Sequence, residues 1–150
     1  MLGLSRKTDY ALLIVTELAR HPGEFVSVRV LAEEHRLPYR FASQIVGSLK
    51  RAGILESHEG VKGGYCLSKE PSRITLEDVL SATEGGVFAL VSCLDPRKNY
   101  VCPQKAWCGA KEGMGMLQRR MLESLKTMTV ADFLRAHESS GVPTTHAPRS

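Results

Sequence analysis

The stretch PYRFASQIVGSLKRAG, residues 38–53, runs directly into ILESHEGVKGGYCL, residues 54–67. Proline is favoured at the first helical position and glycine just past the last, so Pro38 and Gly53 bracket a helix over 38–52. Phe41, Ile45, Leu49 and Ala52 step by 4, 4 and 3, which predicts one buried stripe. The opposite face carries Tyr39, Arg40, Ser43, Gly47 and Lys50. Past Gly53, residues 54–57 and 65–67 read as two short strands. Gly60, Gly63 and Gly64 lie between them, so the pair is a hairpin with a longer loop.

Two further helices precede this unit. Residues 5–20 place Tyr10, Leu13, Ile14, Leu18 and Ala19 on one apolar face, and His21-Pro22-Gly23 stops them. Ser27 is a natural N-cap for a short helix over 28–35, and Arg36-Leu37-Pro38 turns the chain tightly into the next. Three helices and then a hairpin is the winged helix-turn-helix order. The expected fold is mostly α with a small β-hairpin wing.

That arrangement assigns chemistry to particular side chains. Arg40 suits guanine or a phosphate, and Ser43 suits either groove partner. Tyr39 and Lys50 suit backbone contacts, which set register without reading sequence. Gly47 lets the backbone approach DNA closely. In the wing, Lys62 is the candidate cation for the minor groove and His58 assists when protonated, whereas Glu59 opposes phosphate contact at its own position. The competing reading of the same helix is an ordinary solvated face.

Downstream, Thr75 begins a helix through Ala82, and Gly85-Gly86 ends it. An apolar run over 88–91 leads into a cysteine loop, 93–108, without periodicity. A long helix over 110–128 follows. Met114, Leu117, Met121, Leu125 and Met128 step by 3, 4, 4 and 3 along it, close to a coiled-coil seam. A short helix over 129–137 precedes a Ser/Thr/Pro-rich end expected to be disordered. The expected division is a winged helix-turn-helix domain (1–82), a cluster-binding loop (83–109), a dimerisation helix with a terminal short helix (110–138) and a tail (139–150).

Composition bounds the alternatives. With 150 residues, 43% hydrophobic and 24% charged, the chain supports one ordinary domain with a real core. A net charge of +4 permits nucleic-acid binding. Neither half holds the excess, so any basic patch must be local. No apolar run is long enough for a membrane span. The N-terminal residues read as a core helix rather than an export signal, so a cytoplasmic location is expected. No Gly-rich phosphate loop, His-Glu-x-x-His or Ser/His/Asp grouping points to an enzyme.

In a reducing compartment, clustered thiols are more often metal-binding or catalytic than disulfide-bonded. The spacing is Cys93-x8-Cys102-x5-Cys108, which is neither a zinc knuckle nor a ferredoxin run. Three thiolates this close suit an iron–sulfur cluster completed by a fourth ligand from elsewhere in the chain or from a second subunit. The other readings are buried or incidental thiols and a thiol–disulfide redox sensor. Cys66 lies in the second wing strand and reads as packing.

Four stretches together resemble the IscR/NsrR family of iron–sulfur winged-helix regulators. They are Leu4-Ser5-Arg6-Lys7-Thr8-Asp9-Tyr10-Ala11, the Leu37–Gly53 helix, the Gly60–Tyr65 wing with its Gly-Gly-Tyr, and the three-cysteine loop before a long helix. The start and the Ser57-His58 step look most like the members that accompany Suf cluster-assembly genes. The resemblance implies a homodimer that binds an operator in double-stranded DNA, with the long helix crossing the partner. It also implies a cluster on Cys93, Cys102 and Cys108, 4Fe–4S favoured and 2Fe–2S possible. Some relatives complete the site with a histidine where this chain has Lys111. Others use an acidic residue from the opposite subunit, a position that Asp9 matches. Many relatives carry arginine where this wing has Glu59, and some carry an acidic residue where the recognition helix has Ser43.

Overall fold

The computed structural model describes residues 4–86 and 89–141. Val87, Phe88 at the start of the expected apolar run, and residues 142–150, most of the expected tail, lie outside the described residues. The elements are α1 (Arg6–Arg20), α2 (Val28–Glu34), α3 (Tyr39–Arg51), β1 (Leu55–His58), β2 (Gly64–Leu67), α4 (Leu76–Glu84), α5 (Lys111–Thr127) and α6 (Val130–Ser139). The fold is the expected one, mostly helical with one antiparallel hairpin.

The helices start where side chains can satisfy their first N–H groups. Ser5 caps α1 by accepting from the Thr8 N–H, and Ser27 caps α2 by accepting from the Val30 N–H. Thr75 and Thr129 each form a full capping box, with Asp78 and Asp132. Each such cap is worth about 1 kcal/mol. Helices α3 and α5 are the exceptions, and α5 follows Ala110, which has no capping group. Pro38 sits at the N-cap of α3, one residue earlier than the first helical position expected for it, and supplies no side-chain bond.

The core is built where α1, α2 and α3 face one another and the base of the wing. Ile14, Leu31, Ile45 and Leu49 are fully buried there, and Ile54, Ile74 and Val130 close it. Each such side chain contributes about 1.5–3 kcal/mol by leaving water. Two expected core residues are not in it. Leu13 is 43% exposed, and Ala52 lies at the exposed C-cap of α3. The buried stripe of α3 instead runs through Ala42, Ile45, Val46, Ser48 and Leu49.

Helix α2 ends in a Schellman arrangement, in which the Leu37 N–H donates to the Ala32 carbonyl (2.8 Å) and the Arg36 N–H to Glu33 (3.2 Å). The left-handed residue that this requires is Arg36, at φ 53°, the one non-glycine with positive φ among the described residues. An L side chain there costs about 1–2 kcal/mol that glycine avoids.

The wing pairs Leu55 with Leu67, Glu56 with Cys66, Ser57 with Tyr65 and His58 with Gly64. A one-residue rung joins it to the body, since Val26 and Tyr65 exchange N–H···O bonds of 2.9 and 2.8 Å. The rung requires Gly64, and the tight loop of the hairpin requires Gly63. A Cβ on Gly63 would collide with the His58 carbonyl oxygen, and one on Gly64 with the Val26 backbone.

Helix α4 runs on to Glu84, two residues past its expected end, and α6 to Ser139. The starts of α4 and α6 are stitched together by Leu76 N–H to Met128 O and Val130 N–H to Ile74 O, both 2.9 Å. Helix α5 has no buried residue at all. Of its seam, Leu117 is 43% exposed and Met128, just past its end, 46%; Met114, Met121 and Leu125 are half-buried. No helix among the described residues is long and apolar enough to cross a membrane.

Candidate functional site

Burying one stripe of α3 against α1 leaves the other stripe in solvent. Tyr39, Arg40, Ser43 and Lys50 are exposed and Gly47 is half-buried. A Cβ on Gly47 would meet only the Arg51 guanidinium at 3.6 Å, so nothing within the chain demands glycine there. Lys50 has a task inside the fold as well. Its Nζ donates to Ser57 Oγ at 2.6 Å and fastens the helix to the first wing strand. An ammonium has three donors, so two remain for phosphate. The sequence reading missed Gln44, which is exposed and shares the face of Arg40 and Gly47. Its place four residues after Arg40 was the available signal, and its amide suits adenine.

In the wing, His58 packs its ring on Phe25, with centroids 5.4 Å apart. Glu59, Gly60, Val61 and Lys62 form an exposed tip, and Val61 is fully in solvent. The tip therefore presents one cation beside an apolar side chain and a carboxylate.

The cysteine loop stands apart from this face. All four cysteines are free; Cys93 and Cys108 are exposed and Cys102 is half-buried. The three line one cavity of about 300 Å³ together with Tyr100, Val101, Lys105 and Lys111. Among the described residues no three His, Cys, Asp or Glu side chains stand close enough to hold a single metal ion. The donor set nonetheless suits an iron–sulfur cluster, since the thiolates are soft ligands and the two lysines favour a negatively charged occupant.

Asp9 is exposed in the first turn of α1 and does not line that cavity. The two regions are connected through Glu84. Its carboxylate accepts from the hydroxyls of Ser5 and Thr8 at the start of α1. Its backbone carbonyl accepts from Arg97 Nη1 of the cysteine loop at 2.8 Å. Arg97 in turn forks onto Asp95, with Nε and Nη2 each 3.1 Å from an Oδ. Burial pushes the Glu84 carboxyl up, but the Ser5 and Thr8 bonds and the nearby Lys7 charge prevail and hold it below its usual range. The bonds from Arg97 hold Asp95 low as well. Both carboxylates thus stay ionised at neutral pH, and the tie weakens only as acid protonates them.

Cys66 is a different thiol. It is buried, and burial, a 3.3 Å bond to Glu56 and the charge of Glu56 push it up to about 11. A thiol that stays protonated is inert. Brief iodoacetamide treatment of the cluster-free protein is expected to alkylate Cys93, Cys102 and Cys108, with Cys66 reacting only on unfolding. Peptide mass spectrometry checks it; rapid native labelling of Cys66 contradicts the packing described here.

Comparison with known proteins places this geometry. A family model described as Rrf2, iron-dependent transcriptional regulator, matches residues 4–136. The transcriptional regulator NsrR of Shouchella clausii is 30% identical over 132 residues, covering 87% of each chain. The solved structure of CymR, the global cysteine regulator of B. subtilis, superposes with a TM-score of 0.74 at 28% identity, covering 91% of this chain and 98% of that one. The structure of T. potens IscR superposes with a TM-score of 0.72 at 25% identity, covering 95% and 93%.

Proposed function

The chain belongs to the Rrf2 family of transcriptional regulators, which are not enzymes, and on that premise we propose that it is a homodimeric repressor whose operator binding is governed by an iron–sulfur cluster. The ligands are Cys93, Cys102 and Cys108, with Asp9 of the partner subunit as the fourth. When bound, a 4Fe–4S cluster, favoured here over 2Fe–2S, supplies a centre that iron supply, oxygen and nitric oxide alter, and its carboxylate ligand makes it labile. The observation that carries this reading is the single cavity shared by the three thiols.

The rest follows from the chain's own residues. Tyr39, Arg40, Ser43, Gly47 and Lys50 contact the major groove and its phosphates, with His58 and Lys62 on the flanking minor groove. The apolar seam of α5, none of it fully buried among the described residues and exposed at Leu117 and Met128, supports dimerisation. Two recognition helices must then sit about 34–36 Å apart, or a multiple of that, to match two half-sites. Asp95 and Arg97 hold the cysteine loop to the last turn of α4, and Ser5 and Thr8 hold that turn to α1. A shift of the loop therefore reaches the helix that packs behind α3.

Anaerobic purification tests the assignment. A brown protein with about four irons per cluster and matching sulfide is the expected result. A colourless protein that resists reconstitution overturns it. That outcome favours the second reading, a cluster-free thiol switch on the same cysteines, which the likeness to CymR and the three free accessible thiols support.

A further inference from the structure

We propose that the cleft between α2 and the start of α3 is a clamp for one backbone phosphate of the bound DNA, with Arg36 and Arg29 as its charges. The inference rests on reading the chain as a DNA-binding protein and adds to it a contact away from the groove-reading face. The cleft measures about 390 Å³ and is lined by Arg29, Ala32, Glu33, Arg36, Leu37 and Tyr39.

Three observations converge on it. First, Arg29 and Glu33 lie one turn apart on α2, Arg36 lies just past its end, and all three line the cleft. Both arginines are exposed, and among the described residues neither forms an ion pair with Glu33. Two guanidinium groups against one carboxylate leave a single net positive charge, which matches one phosphodiester. Second, Arg36 occupies the left-handed position that closes α2, at φ 53°. Glycine would fit there without strain; arginine instead puts a guanidinium on the cleft at a cost in backbone strain. Third, α3 begins at this cleft without a side-chain cap, because Pro38 holds the N-cap. Its first N–H groups keep their partial positive charge for an anion, and Tyr39, 57% exposed, brings a hydroxyl to the same place.

A phosphate contact positions the protein and carries no sequence information. It seats the N-terminal end of α3, where Arg40 begins the reading face. The clamp thus sets how deeply that end enters the groove.

The test needs no knowledge of the operator. Binding of the full-length protein to a mixed-sequence duplex is measured by fluorescence anisotropy between about 50 and 200 mM salt. Arg36→Gly is expected to fold with an unchanged or higher thermal midpoint, since glycine relieves the strained backbone. Its plot of log affinity against log salt is expected to be shallower by about 0.9, with affinity lower by about fivefold near 150 mM salt, the effect of one lost counterion-release contact. Arg29→Gln, at an ordinary helical position, should flatten the slope in the same direction and serves if the glycine variant is poorly folded. A wild-type slope in folded Arg36→Gly, or in Arg29→Gln where that variant is the one used, overturns the clamp and leaves the DNA-binding reading standing. Failure of the unmodified protein to bind duplex DNA at any of these salts overturns the DNA-binding reading and the clamp with it.

Discussion

Cys102→Ala is expected to purify without iron under strictly anaerobic conditions and to bind operator DNA with one affinity, whatever the iron supply. Cys102 is the half-buried member of the three thiols. It also borders the neighbouring depression with Ser92, Asp95 and Lys98, so it stands where the loop folds back on itself. Removing it takes away a soft ligand at the centre of the donor set and leaves Cys93 and Cys108 alone at the solvent edge. An effector-linked change in affinity is ordinarily about 5- to 150-fold, and this substitution should reduce it to none. Iron content and anisotropy titrations before and after nitric oxide exposure measure it. Trp107, the sole tryptophan, is 79% exposed beside Cys108 and gives an independent fluorescence signal of loop state. A Cys102→Ala protein that retains iron and still responds removes Cys102 from the ligand set.

Leu117→Asp is expected to convert the protein to a monomer that has lost specific DNA binding. Among the described residues no seam position of α5 is fully buried, and Leu117 is 43% exposed. A carboxylate at position 117 therefore costs little in the isolated protomer, where it meets water. A symmetric dimer repeats every change, so the interface would bury two such charges, and an uncompensated buried charge costs about 3–5 kcal/mol. Sedimentation should show half the mass, with a thermal transition retained. Operator affinity should fall by about a thousandfold or more, to the level of non-specific binding. A Leu117→Asp protein that remains dimeric would place the subunit contact elsewhere.

Much of this molecule was legible in its sequence because helices and hairpins are local. Ser27, Thr75, Gly53 and the paired glycines of the wing announce their elements within a few residues. Periodicity located the buried side of α3 but not its centre, since Ala52 was counted in and Ala42 and Val46 were not. Leu13 was misplaced because an apolar residue on a helix says nothing about which surface covers it. Gln44 was overlooked although its spacing places it on the reading face. The bonds joining Ser5, Thr8, Glu84, Arg97 and Asp95 could not be read at all. They join residues far apart in the chain and follow no period. The left-handed Arg36 was hidden for another reason: a tight turn at Arg36-Leu37-Pro38 was expected, but sequence does not say which residue bears the strain. The three cysteines were visible at once, and the structure adds that they open on one cavity.

The route of the chain after α4 has a mechanical consequence. It leaves the body at Gly85, passes through the cysteine loop and α5, and returns at Thr129, whose bridge to Thr75 lies at the other end of α4. Helix α4 is nine residues long, about 14 Å, and both ends of the excursion are tied to it. The excursion is thus a bail hinged on a short rod, not a free arm. A slackening or tightening of the cysteine loop cannot be lost in a loose end. Between those ends α5 is also fastened from the side, by the Glu77–Lys126 ion pair (3.9 Å) and the Leu90 N–H bond to Gln118 Oε1 (3.0 Å), so a shift of the loop pulls on α5 directly, and in a dimer held together by α5 each protomer would turn with it.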